Sequence, residues 1–102
     1  MEYFDKALAI DPYYIHALSN KGYVLRRVGE YKEAMEYFDK ALAIDPYYED
    51  ALYNKGLFFI NLGKYKEAME YFDKALAIDP NNVSALKNKQ LTYVKLKENE
   101  QI

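Results

Sequence analysis

The sequence predicts an all-α protein, a solenoid of six helices arranged as antiparallel pairs, and three observations point there. Residues 1–14, MEYFDKALAIDPYY, recur unchanged at 35–48, and residues 31–46, YKEAMEYFDKALAIDP, recur unchanged at 65–80, so the chain of 102 residues repeats itself every 34 positions. Within each unit apolar residues return three and four positions apart, the spacing that places them on one helical face. The segments between these stretches are short and end in glycine or Asp-Pro, and short connections force neighbouring helices antiparallel.

Taken in order, the expected helices span residues 2–10, 14–28, 30–44, 48–62, 64–78 and 82–97. The first ends before Asp11-Pro12, a pair that cannot continue a helix. The second carries Leu18, Leu25 and Val28 on one face and stops at Gly29; the third carries Ala34, Phe38, Ala41 and Leu42 and stops at Asp45-Pro46. The fourth and fifth repeat this pattern, with Gly63 and Asp79-Pro80 as their stops. The odd halves are more divergent but stay in register, as IHALSNKGYVLRRVGEY from Ile15, EDALYNKGLFFINLGKY from Glu49 and VSALKNKQLTYVKLKEN from Val83 show; their shared frame is A-L-x-N-K. One domain is expected: residues 1–14 as the second helix of one unit, 15–48 and 49–82 as full units, and 83–102 as the first helix of another. A two-helix unit has more apolar surface than it buries alone, so units stack into a curved array.

Composition narrows the function. Fourteen basic and sixteen acidic side chains give a formal charge of -2 without any block of like charges, which argues against nucleic acid as a partner. Twelve tyrosines and five phenylalanines supply too much large apolar surface for a disordered chain of this charge. Cysteine is absent, which excludes disulfides and thiolate metal sites and suits a reducing compartment; the cytoplasm is the expected location. No apolar run approaches the roughly 18 residues of a membrane span, so no membrane association is expected.

Catalysis is not expected. Its groups would have to pair a nucleophile with a base, or an acid with a base, and the one histidine, His16, has no acid-base neighbour in its repeat frame, where Asp50 and Ser84 take its place. It reads as a surface residue. The carboxylates Glu33, Glu36, Asp39, Glu67, Glu70 and Asp73 interleave with Lys32, Lys40, Lys66 and Lys74 as a solvated, ion-paired face. No metal or cofactor motif occurs, and none is expected to bind.

Period, helix pair and spaced residues together resemble the tetratricopeptide repeat, whose large, small, aromatic and alanine slots are held by Leu18, Gly22, Leu25, Ala34, Phe38, Ala41 and Pro46 in the first full unit. Leu52, Gly56, Phe59, Ala68, Phe72, Ala75 and Pro80 hold them in the second. The resemblance covers essentially the whole chain and implies a right-handed superhelical α-solenoid. Near-identity of the units points to recent duplication or to laboratory construction of an array. Two departures stand out. Lys21, Lys55 and Lys89 replace the leucine usual before the small residue, and each is expected to lay its methylenes over the core and lift its ammonium to water. In the last half-unit Gln90 replaces the small glycine and Lys97 the turn glycine, in the manner of a polar capping helix.

What the resemblance implies about function is a non-catalytic scaffold or adaptor that binds an extended peptide or partner segment in a concave groove lined by the first helix of each unit. The groove residues would be Asn20, Tyr23 and Arg27 in the first unit, with His16 and Ser19; Tyr53, Asn54, Leu57 and Asn61 in the second, with Asp50; and Lys87, Asn88, Leu91 and Lys95 in the third, with Ser84. Asn20, Asn54 and Asn88 stand one period apart. They either form a ladder of amides facing a peptide backbone or bond to neighbouring helices, and both readings stay open. Tyr23, Tyr53 and Leu57 would give apolar pockets, and Arg26, Arg27, Lys87 and Lys95 a preference for an acidic ligand. Some members clamp C-terminal carboxylates with lysines, an arginine and asparagines; Asn54 fits that pattern, whereas Ser19, Tyr23, Ser84 and Asn88 replace the other clamp residues. A rival reading is a self-assembling module. Phe4, Ala7 and Leu8 at one end and Leu86 and Tyr93 at the other lack their usual cover, so copies would associate head-to-tail or by helix exchange into a homo-oligomer.

Overall fold

The computed structural model describes residues 5, 6, 8 and 14–100. Among them lie five helices: α1 (Ile15–Arg27), α2 (Tyr31–Ile44), α3 (Glu49–Asn61), α4 (Tyr65–Ile78) and α5 (Val83–Glu100). The described residues contain no strand. Asp5, Lys6 and Leu8 are helical, as the expected helix 2–10 requires; its other residues, Phe4 and Ala7 among them, lie outside the described set. Five helices are therefore counted where six were expected. The chain forms two compact units, Met1–Ala51 and Leu52–Ile102.

Backbone hydrogen bonds explain where the helices stop. Gly29 has φ +89° and Gly63 φ +73°, the left-handed region that a side chain disfavours. At the first turn the N–H of Gly29 donates to Arg26 O at 3.1 Å and that of Glu30 to Leu25 O at 2.8 Å; at the second Gly63 donates to Ile60 O and Lys64 to Phe59 O, both at 2.9 Å. This double closure satisfies carbonyls that a helix end leaves orphaned. Nothing lies within 4 Å of a Cβ built on either glycine. Gly63→Ala is therefore expected to cost about 1–2 kcal/mol from backbone conformation alone, with Gly63→Asn milder; chemical denaturation measures both.

The Asp-Pro stops work differently. Asp45 Oδ1 accepts from the Tyr47 N–H at 2.9 Å and Asp79 Oδ1 from the Asn81 N–H at 3.1 Å, each carboxylate folding the chain over the proline into a turn. Asn82 then caps α5, its Oδ1 accepting from the Ala85 N–H at 2.9 Å. At its far end α5 runs three residues beyond the expected stop at Lys97, because position 97 carries no glycine to enter the left-handed conformation.

In the first unit Leu18, Leu25, Ala34, Phe38, Ala41 and Ala51 form a buried cluster, flanked by Leu8, Ile15, Tyr37, Leu42 and Tyr48. Gly22 matters here through its lack of a side chain: a Cβ there would lie 2.8 Å from the Phe38 ring. In the second unit Phe72, Ala68 and Ala75 are fully buried, and a Cβ on Gly56 would lie 2.5 Å from the Phe72 ring. Each phenylalanine thus seats its ring on the bare backbone of the preceding helix.

Candidate functional site: the exposed face of the odd-numbered helices

The odd helices α1, α3 and α5 carry the candidate binding residues, and the structure gives them unequal surroundings. On α1, Asn20, Tyr23 and Arg27 are exposed, while Ser19 is buried. Ser19 thus departs from its expected groove position, because its hydroxyl bonds to the Tyr48 phenol. Arg26 and Arg27 both lie over the Tyr23 ring, at 5.4 and 6.0 Å from its centroid, which fixes an aromatic surface with positive charge above it. His16 is exposed but has company that the repeat frame did not disclose. Its Nδ1 lies 2.8 Å from the Tyr48 hydroxyl, in hydrogen-bond contact, and its ring is 5.8 Å from those of Tyr14 and Tyr48. Burial pushes the Tyr48 phenol above its ordinary pKa, the Asp50 carboxylate adds to this, and the Ser19 bond opposes it.

In the second unit α3 and α5 are joined at the candidate face. The Asn88 amide donates to the Tyr53 hydroxyl and to the Ser84 carbonyl, both at 2.9 Å, so both N–H groups of Asn88 are engaged within the protein. Tyr53 also leans on Phe72, with ring centroids 5.8 Å apart. Leu57, one turn on, is half-buried; Leu91 on α5 is exposed, as are Asn61, Lys87, Lys95 and Ser84. Asn54 is 7% exposed and belongs to the interior. The three asparagines of the repeat frame therefore share a register but not an environment: Asn20 faces solvent, Asn54 is buried, and Asn88 is half-buried and bonded to its neighbours.

Sequence reasoning missed the role of Thr92, which is 1% exposed and donates to the Asn88 carbonyl at 2.6 Å. With Ala85, it forms the inner face of α5, and the outer face, Leu86, Gln90, Tyr93 and Val94, is left exposed. The spacing of 85, 88 and 92 along one helical stripe is the signal that identifies that inner face.

The lysines also depart from expectation. Instead of reaching only toward water, Lys21 pairs with Asp5 and stands 4.8 Å from the Tyr37 ring centroid, with Lys40 at 4.8 Å as well. Bonding to Asp5 and Tyr37 raises the Lys21 pKa above its ordinary value, against partial desolvation. Lys55 and Lys74 flank Tyr71 in the same way at 4.7 and 4.6 Å, and Lys89 pairs with Asp73 at 2.6 Å. At Lys21 the ammonium thus lies between a carboxylate and an aromatic face and keeps two favourable contacts at a position where leucine is usual.

Among the described residues no group of three or more His, Cys, Asp or Glu side chains is placed to hold a metal ion, and no helix is long and apolar enough to cross a membrane.

With this geometry in place, comparison with known proteins identifies the class. The tetratricopeptide repeat profile matches residues 16–48 and 49–82, and the chain belongs to the tetratricopeptide repeat family. Among solved structures it is similar to two crystal structures of MamA. One has a TM-score of 0.80 at 26% identity, covering 90% of this chain and 54% of that one. The other has a TM-score of 0.83 at 24% identity, covering 98% and 55%. This chain thus spans about half the length of the MamA chains it matches. The first tetratricopeptide domain of Spaghetti (RPAP3), solved bound to the HSP90 peptide SRMEEVD, shares the fold with a TM-score of 0.85 at 23% identity, covering 92% of this chain and 75% of that one. No curated protein matches the sequence.

Proposed function

We propose that this chain is a non-catalytic protein-interaction scaffold that holds an extended, acidic peptide segment against the exposed faces of α3 and α5. The observation that carries this reading is the bond from Asn88 to Tyr53, which joins α3 and α5 at the candidate face. Leu57 and Leu91 stand one turn further along each helix, and Lys87 and Lys95 stand on either side of Leu91. Such a surface offers an apolar patch between two cations, which suits a peptide with carboxylates around an apolar residue. The positions assigned to it on α3 and α5 are Asp50, Tyr53, Asn54, Leu57, Asn61, Ser84, Lys87, Asn88, Leu91 and Lys95, so two lysines stand there against one carboxylate, at the amino-terminal end of α3. The Spaghetti domain, whose fold this chain shares, holds a peptide with adjacent glutamates. Most clamp positions differ here, so the favoured peptide is acidic but of another sequence. A reducing compartment, the cytoplasm, is the setting we assign.

Binding of fluorescein-labelled peptides, acidic against charge-reversed versions of the same sequences, tests the proposal by anisotropy. Tyr53→Ala and Leu91→Ala are each expected to weaken the acidic set by about tenfold or more, the loss typical of a central aromatic or apolar anchor. Lys87→Ala with Lys95→Ala should weaken binding and flatten its salt dependence. Equal binding of charge-reversed peptides would remove the acidic preference, and indifference to Tyr53 and Leu91 would remove the groove itself. Asn54 makes a poor probe, since its burial mixes folding with binding.

A further inference from the structure

We propose that the outer face of α5 is a docking surface for the amino-terminal segment of a second copy of this chain, so that copies join head-to-tail. Leu86, Tyr93 and Val94 are 45%, 50% and 52% exposed there, and with Met69, Lys89 and Gln90 they line a groove of about 420 Å³. In the first unit the residues in the same register as Leu86 and Tyr93 are Leu18 and Leu25, each only 3% exposed. Their cluster is completed from α2 by Ala34, Phe38 and Ala41. From Met35 to Tyr48 the covering segment is letter for letter residues 1–14, with Phe4 and Ala7 in the places of Phe38 and Ala41, while Ala34 has no counterpart in that stretch. Among the described residues this first-helix face is thus exposed, and residues 1–14 repeat the sequence that elsewhere covers such a face.

The charged groups agree with this occupant. Lys21 in the first unit joins Asp5 on one side and the Tyr37 ring on the other. Lys89 already pairs with Asp73, and Tyr3 of the incoming segment is the residue in register with Tyr37. A ring placed over Lys89 would complete the same three-part contact. Gln90 opposes tight docking. At Gly22 a single Cβ would already stand 2.8 Å from the phenylalanine ring, and Gln90 brings a whole side chain to that place. The contact is accordingly weak and reversible, and because its two surfaces differ it extends into open chains or closes into rings rather than stopping at a symmetric pair.

Sedimentation velocity over a concentration series tests this. The parent chain is expected to show a weight-average mass that rises continuously with concentration. Leu86→Glu and Phe4→Glu should each be monomeric, with far-UV circular dichroism matching the parent, and Tyr93→Glu repeats the test at a second position. Mixing the Leu86→Glu and Phe4→Glu chains should give a one-to-one heterodimer, since each retains one intact half of the contact. Gln90→Gly recreates the bare seat of Gly22 and should tighten association by about tenfold or more. A monomer at every concentration for both parent and Gln90→Gly overturns the proposal. So does a symmetric dimer that Leu86→Glu abolishes and Phe4→Glu spares, which would mean that two α5 faces pair with each other.

Discussion

Phe72→Ala is expected to lower the unfolding free energy by about 3–5 kcal/mol, the range for emptying a large aromatic site in a core. The ring has no exposed surface, rests on the backbone of Gly56 and supports Tyr53 at 5.8 Å. Its removal takes away the packing of α4 on α3 and the floor under the candidate binding face. A domain stabilised by about 5–15 kcal/mol loses a large fraction of that margin through one side chain. Urea denaturation followed by circular dichroism would show a lower midpoint with little change in slope. A loss below about 1 kcal/mol would mean that the cavity collapses without cost and that the ring does not hold the pair together. Phe38→Ala, at a ring 1% exposed in the first unit, should behave alike.

The second large effect comes from adding an atom. Gly56→Ala is expected to destabilise by about 1–3 kcal/mol, the cost of overpacking a filled core. Helix propensity alone predicts the reverse sign, since alanine favours a helix over glycine by about 1 kcal/mol. Space decides the outcome: the new Cβ would lie 2.5, 2.7 and 2.9 Å from three atoms of the Phe72 ring, and that ring is enclosed. At Gly22 the corresponding distances are 2.8, 3.0 and 3.1 Å, so Gly22→Ala should cost less. Combining Gly56→Ala with Phe72→Leu separates the steric account from any other, because a smaller partner should restore part of the loss and give a non-additive cycle. Stabilisation by Gly56→Ala would refute the close seat.

The contrast with Gly63 shows what a sequence conveys and what it withholds. Gly29 and Gly63 as turn formers, and Phe38 and Phe72 as core, follow from period and spacing, because each is imposed by the geometry of a single helix or turn. The surroundings of the three asparagines did not follow, although they share one frame. Whether an amide at that position is buried, bonded or free depends on side chains from other helices: Tyr53 reaches Asn88 from another helix, and Asn20 is left facing water. The contacts of Lys21 and Lys89 were hidden for the same reason, since their carboxylates lie on helices sixteen positions earlier. Thr92 was overlooked because a polar residue reads as surface until its hydroxyl is seen to bond to the carbonyl four residues back. The length of α5 rests on a single position: with lysine and not glycine at 97, the helix continues to Glu100.

The ring-on-glycine seat has a bearing on how quickly the chain reaches its native state. Phe38 meets Gly22 and Phe72 meets Gly56 across one short turn, so the contact that locks each hairpin joins segments adjacent along the polypeptide. Little loop entropy is lost before the contact is made. Proteins dominated by such local contacts fold in about microseconds to milliseconds. A hairpin emerging from a ribosome can close its own lock before the following unit has been synthesised, leaving its apolar face uncovered for only a short time during synthesis.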